Sequence, residues 1–66
     1  MKVRVNGEER ELADGATVAT VLDLLGAPAS GVAVALDGEV VPRAAWPSTT
    51  VPAGSAVEVL TAVQGG

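Results

Sequence analysis

Hydrophobic and polar residues alternate over Met1 to Val5, with Val3 and Val5 on one side of the backbone and Lys2 and Arg4 on the other. A period of two predicts a half-buried strand. Asn6-Gly7 follows at once. Both central positions of a type I′ turn need a positive φ, which this pair tolerates well, so the chain is expected to double back. Glu8 to Leu12 then supplies a polar antiparallel partner. Leu12 is its inward anchor and its acidic residues face water, as expected of an edge strand.

The period changes after Asp14-Gly15, a turn pair. Thr17 is placed to cap a helix N-terminus, and Val18, Val21, Leu22 and Leu25 fall at i, i+3, i+4 and i+7, with Ala19, Thr20 and Asp23 off that stripe. Gly26 suits the left-handed position after a last helical turn, and Pro28 forbids continuation. Beyond the small-residue loop of Ala29, Ser30 and Gly31 the period returns to two. Val32, Val34 and Leu36 alternate with Ala33 and Ala35, which predicts a buried strand with an unusually smooth second face. Asp37-Gly38 is another tight-turn pair, and Pro42 keeps the following Glu39-Val40-Val41 short or at an edge. Arg43 to Ala53, interrupted by Pro47 and Pro52, predicts an irregular crossover of turns. Gly54-Ser55 turns the chain into a last strand, in which Val57 and Val59 alternate with Glu58 and Leu60. This order describes an α+β domain, residues 1–60, with one helix packed on one face of a sheet. Residues 61–66 are expected to trail off as a tail.

Length and composition narrow the chemistry. A chain of 66 residues makes one domain. At this size only about 60% of the unfolded chain's surface is buried, which leaves little interior for an enclosed substrate pocket. Cys, His and Tyr are absent. That excludes an imidazole base, a thiolate nucleophile, the usual zinc ligands and any disulfide framework. The net charge of −4 argues against a nucleic-acid partner, whose affinity would come from Lys and Arg. The longest apolar run, Val32 to Leu36, is far short of the ~20 residues that span a bilayer, and Met1 to Glu8 contains no apolar signal core. No membrane partner and a cytoplasmic location are therefore expected.

Few residues remain as candidates. Gly65-Gly66 ends the sequence, and reads either as a frayed end or construction scar, or as a thin strand lacking Cβ atoms that threads a narrow cleft and presents its carboxylate. Arg43 reads either as a solvated charge or as a contact to a partner's carboxylate or a nucleotide phosphate. Trp46, the only aromatic residue, is expected to plug the sheet edge as core. Glu8, Glu9 and Glu11 read as a solvated strand face rather than an acid–base pair or cation site, because nothing apolar nearby would raise a carboxyl pKa.

The run Val32-Ala33-Val34-Ala35-Leu36-Asp37-Gly38-Glu39-Val40-Val41-Pro42-Arg43, then Trp46, and the ending Val57 to Gly66 closely resemble the ThiS family of thiamine-biosynthesis sulfur carriers. Val3-Arg4-Val5-Asn6-Gly7 and Val21-Leu22 agree with it too, so the likeness covers nearly the whole chain. Asp37 stands where that family more often has Asn, and Ser55 where Asp is common; both are turn positions.

The resemblance implies a ubiquitin-like β-grasp fold, with a mixed sheet of four to five strands and one helix across one face. It also implies a carrier rather than an enzyme, with no cofactor bound by this chain. The Gly66 carboxylate would be adenylated by an E1-like adenylyltransferase using ATP and magnesium. Sulfur from a donor such as a cysteine desulfurase would convert it to a thiocarboxylate, and thiazole synthase would take up that sulfur. Val63, Gln64 and Gly65 would be presented to the partner's active site. Independently of the resemblance, the smooth side of the sheet together with the tail is the expected partner face, with Leu60 and Arg43 as candidate contacts. A related carrier for molybdopterin or tRNA thiolation would use the same terminus, as would a ubiquitin-like protein modifier.

Overall fold

A computed structural model describes residues 1–28 and 30–61. Strands β1 (Lys2–Val5) and β2 (Glu8–Glu11) form the first hairpin, followed by helix α1 (Val18–Leu25), strands β3 (Val32–Leu36) and β4 (Glu39–Val41), a 3-10 helix (Arg43–Ser48) and strand β5 (Ala56–Thr61). The five strands make one sheet in the order β2-β1-β5-β3-β4. Only the β1–β5 pairing is parallel, with Arg4 opposite Ala56 and Val5 opposite Val57; the β1–β2, β3–β4 and β3–β5 pairings are antiparallel. The last strand therefore lies in the middle of the sheet.

Each turn pair does what its residues require. Asn6 and Asp37 adopt φ of 52° and 50°, and each is followed by a glycine with positive φ. These are the values that two-residue hairpins impose and that most residues resist. Thr17 caps α1 reciprocally with Thr20. Its hydroxyl accepts the Thr20 N–H at 3.3 Å, and the Thr20 hydroxyl accepts the Thr17 N–H at 3.1 Å. At the other end Gly26 is left-handed, φ 65°, and its N–H returns to the carbonyls of Leu22 and Asp23.

The core lies between α1 and one face of the sheet. Val18, Val21 and Leu22 of the helix meet Val3, Val5, Val34, Val41, Val57 and Val59 of the strands, and Leu12, just past β2, closes one end. Leu25 is only partly buried.

Two expectations need correction. The segment 43–53 is not an irregular crossover. Its first six residues wind into the 3-10 helix, with Pro47 inside it, and the hydroxyls of Ser48 and Thr49 both donate to the Ala45 carbonyl, at 3.2 and 2.6 Å. The segment is then sewn to the start of α1. Val18 N–H donates to Thr49, Val51 N–H donates to Ala16, and Val51 is fully buried. β3, in turn, is not buried on both faces. Val34 is in the core and Val32 and Leu36 border it, whereas Ala33 is exposed, because the helix covers only one side of the sheet.

Trp46 is a core residue, as its sequence context indicated. It is buried, and its indole N–H donates to the Val41 carbonyl at 3.0 Å, closing a polar group at the end of β4. It is also a ready reporter of unfolding. Val57→Ala removes two methyl groups from a site that is 1% exposed, on a strand held between β1 and β3. It is expected to cost about 2 kcal/mol, a large share of the ~5 kcal/mol that holds a small domain together. Urea unfolding followed by Trp46 fluorescence checks this, with a lowered midpoint at unchanged slope expected.

Candidate functional site

Val63, Gln64, Gly65 and Gly66 lie outside the described residues, so the site is built up from the strand that leads toward them. β5 has neighbours on both sides: β1 at its start, and β3 along its whole length as far as the Val32–Thr61 pair. Thr61, assigned to the tail from sequence, is the last residue of the strand. The described residues thus end on a strand that is paired on both sides.

Alternation along β5 places Val57 and Val59 in the core and Ala56, Glu58 and Leu60 on the face away from α1. Leu60 is 68% exposed and stands opposite Ala33. One row further along, Glu58, Ala35 and Val40 lie side by side across β5, β3 and β4, and Val40 is 76% exposed. Ala33, Ala35, Val40 and Leu60 form a smooth apolar patch around the start of the terminal segment. Val40 is not among the candidates that the sequence supplies, although its alternation with the buried Val41 is the signal that places it outward.

The other half of this open face is charged. Lys2 pairs across the strands with Glu11, and Arg4 with Glu9. Opposite charges facing one another in this way favour the hairpin register. Glu11 also accepts from the Met1 ammonium at 2.8 Å, while the Leu12 carbonyl takes a second N–H of that ammonium at 2.8 Å. The hydrogen bond from the ammonium, supported by its charge, holds the Glu11 carboxyl below the usual range. The same bond raises the ammonium's pKa above its ordinary value, against a smaller opposing effect of burial. Glu8 instead faces Arg10, 3.5 Å away. Glu8, Glu9 and Glu11 are therefore exposed charges; Glu8 and Glu11 are paired with cations, and Glu9 stands opposite Arg4 in the strand register. Among the described residues no cluster of potential metal ligands forms.

Arg43 is placed elsewhere. At the start of the 3-10 helix, its guanidinium lies 5.9 Å from the centroid of the Trp46 ring, within range of a cation–π contact. It borders a shallow groove with Ala19, Leu22, Asp23, Trp46 and Pro47, on the helix side of the molecule. Leu60 is on the opposite face, so these two candidates do not belong to one surface.

The sequence matches the model of the ThiS family over residues 3–66, the final glycines included. The chain belongs to the ThiS family. The crystal structure of the thiamine biosynthesis protein ThiS from Geobacter metallireducens superimposes with a TM-score of 0.84 at 40% identity, over the full length of both chains. A solution structure of a thiamine biosynthesis protein from that organism gives 0.81 at 40% identity, over all of this chain and 88% of the other. The whole chain is also 35% identical to part of a thiazole synthase from Paramagnetospirillum magneticum, and spans 20% of that protein's length.

The ThiS resemblance read from the β3–β4 run and the final strand thus holds, and the five-stranded mixed sheet with one helix is the β-grasp architecture it implied. Membership of the ThiS family supports a carrier role in thiamine biosynthesis. Among the described residues no helix is long and apolar enough to cross a membrane.

The Met1–Glu11 contact carries a pH signature. Depression of the Glu11 pKa means that its contribution is present above the unfolded-state value and is lost as pH falls through the folded-state value. Elevation of the ammonium pKa means that its contribution is present below its unfolded-state value and is lost as pH rises through the folded one. Glu11→Gln is therefore expected to lower the urea midpoint slightly between about pH 5 and 7.5, with the difference shrinking as pH falls below about 4 and as it rises above about 8. Unfolding midpoints of both proteins across that range check the window.

Proposed function

We propose that this chain is the sulfur carrier of a thiamine-biosynthesis system and that its working group is the carboxylate of Gly66. The observation that carries this reading is the family match running through Gly66, in a chain without Cys or His. With no thiol to hold sulfur and no side-chain base or nucleophile of the usual kinds, the terminal carboxyl is the group available for activation.

A carboxylate is a poor electrophile until it acquires a leaving group. An E1-like adenylyltransferase transfers AMP from ATP, with magnesium, to a Gly66 oxygen and releases pyrophosphate. The terminal sulfur of a persulfide, relayed from a cysteine desulfurase or equivalent donor, then attacks the acyl carbon and displaces AMP to give an acyl disulfide. A thiol reduces that S–S bond, forming a disulfide with the donor sulfur and releasing the Gly66 thiocarboxylate. Thiazole synthase takes that sulfur into the thiazole ring. The chain is a co-substrate in each step, and Val63, Gln64 and Gly65 are the segment that enters the partner's active site. That a protein named thiazole synthase contains a stretch similar to this entire chain supports such an enzyme as the sulfur acceptor.

The apolar patch of Ala33, Ala35, Val40 and Leu60 is the surface we assign to the adenylating partner. Two large aliphatic side chains are spent on solvent there, beside the strand that ends in the carrier segment. Contiguous exposed apolar surface of this kind marks an interaction site. The charged β1–β2 half then orients the encounter without supplying most of the affinity. Arg43, on the helix side, is a separate candidate contact.

Two expectations follow. Removing Gly66 is expected to abolish adenylation and sulfur loading while leaving the urea midpoint unchanged, because the hydrophobic core is built from residues between Val3 and Val59. Incubation with ATP and the activating enzyme, read by mass spectrometry for AMP addition and for exchange of oxygen by sulfur, checks this; loading of the shortened chain would overturn the mechanism. Covalent conjugates to lysines of other proteins would instead identify a modifier. Leu60→Glu is expected to raise the KM for activation by roughly tenfold or more, the effect of losing ~1.4 kcal/mol at an interface, with stability nearly unchanged. Steady-state kinetics of pyrophosphate release measures it.

A further inference from the structure

We infer that the side-chain amide of Asn6 is a positioning residue for the carrier terminus: it fixes the backbone of Val59, two residues before the end of β5, and so holds the strand from which the carrier segment continues. This inference rests on the function proposed above, in which Gly66 must reach into a partner's active site.

The geometry begins with the parallel ladder. Arg4 N–H donates to Ser55 and Asn6 N–H donates to Val57, each at 2.9 Å. In a regular parallel ladder the Val59 N–H would next be accepted by the backbone carbonyl of Asn6. Asn6 instead adopts a φ of 52° to start the hairpin, where the regular ladder ends. Its side chain takes over. The Asn6 Oδ1 accepts the Val59 N–H at 2.8 Å, and the Asn6 Nδ2 donates to the Val59 carbonyl at 3.2 Å. One amide thus satisfies both backbone groups of a β5 residue after β1 has ended. Val59 is two residues before Thr61, the last residue of the strand.

The second hairpin supplies an internal comparison. Asp37 also sits at the first left-handed position of its turn, with φ 50°, and its N–H donates to Ala56 at 2.8 Å. Its Oδ1 accepts the Ala56 N–H at 2.8 Å. This latch uses an acceptor alone and holds β5 at its first residue. The Asn6 latch uses donor and acceptor, and holds β5 near its exit. A turn needs only a residue that tolerates positive φ, so turn formation does not require the two contacts to Val59.

Holding the exit strand before the partner arrives lowers the ordering cost of docking, whereas inside the complex the partner holds the segment itself. Loss of the latch is therefore read in KM, with kcat unchanged. Asn6→Gly keeps, and even eases, the positive φ while deleting the amide; Asp37→Gly does the same at the far end of β5. Both are expected to lower the urea midpoint modestly. Only Asn6→Gly is expected to raise the KM for adenylation, by about fivefold, the factor equivalent to one hydrogen bond's net worth. Asn6→Asp retains the acceptor, replaces the donor by an oxygen facing the Val59 carbonyl, and should follow Asn6→Gly.

Amide hydrogen exchange on the free proteins gives a readout independent of activation. The Val59, Leu60 and Thr61 amides should exchange faster in Asn6→Gly at a pH and temperature where the protein stays folded, while in Asp37→Gly the change should be confined to the start of β5. Equal KM values for Asn6→Gly and Asp37→Gly, or unchanged exchange at Val59 to Thr61 in Asn6→Gly, would overturn the inference. If the unaltered chain is not adenylated at all, the proposed function fails and the inference, which rests on it, fails too. If it is adenylated but the Asn6 variants behave like the Asp37 variant, the latch alone fails.

Discussion

The parallel pairing of the first strand with the last is the constraint around which the molecule is arranged. Antiparallel neighbours can be joined by two residues, as both hairpins here are, but parallel neighbours require a long connection across a face of the sheet. Everything between β1 and β5 meets that requirement. The helix crosses the sheet, the second hairpin returns along its far side, and the 3-10 helix brings the chain back to the edge of α1 before β5 enters the centre. In a domain this small, with a core built largely from valines, the central strand is where hydrogen bonding on two sides and burial by the helix coincide. The segment leading to Gly66 starts from that strand.

A single helix covers a single face, and the consequences for the other face are chemical. Trp46, the sole aromatic residue, is consumed by the core, so no large anchor is left for the open side. What remains there is Leu60 and Val40 projecting beside Ala33 and Ala35, whose methyl groups leave the backbone nearly bare. Such a surface favours a partner of matching flat shape over one with a deep pocket. Across β1 and β2 the same face carries Lys2, Arg4, Glu9 and Glu11 in opposed pairs. Their mutual neutralisation keeps a strong single-sign field away from the apolar half.

The parts of this fold legible in the sequence are those governed by neighbours along the chain. Asn6-Gly7 and Asp37-Gly38 imposed their turns, Thr17 and Gly26 bounded the helix, and the valine alternation gave each strand its inward face. The rest depends on contacts distant in sequence. Nothing local encodes that β5 pairs with β1, or that Val51, an isolated apolar residue between Thr50 and Pro52, becomes one of the most buried side chains. The 3-10 helix was obscured by Pro47, which removes a donor but fits its tighter turn once the Ser48 and Thr49 hydroxyls bond to Ala45. For the site, the family pattern in the strands and the terminal glycines was visible, as was the outward direction of Leu60. The second task of Asn6 was not, because its partner Val59 lies 53 positions away and the turn alone accounts for an Asn before Gly7.

A carrier of the kind proposed must solve a problem of selection. The chain holds eight aspartate and glutamate side chains besides its terminal carboxyl, and carboxylates differ little in intrinsic nucleophilicity toward a nucleotide phosphate. An activating enzyme that chose by reactivity would label several of them. Choice by reach avoids this. The described side-chain carboxylates stand on strands, turns and the helix, where the surrounding backbone is too wide for a narrow channel, whereas a terminus ending in two residues without Cβ is thin enough to enter one. Selection by reach works only from a defined starting point, because each lost constraint at the base multiplies the volume that the end must search. The arrangement at the exit of β5 meets this need with the fewest groups: β3 on one side to Thr61, and on the other a single amide placed where β1 runs out.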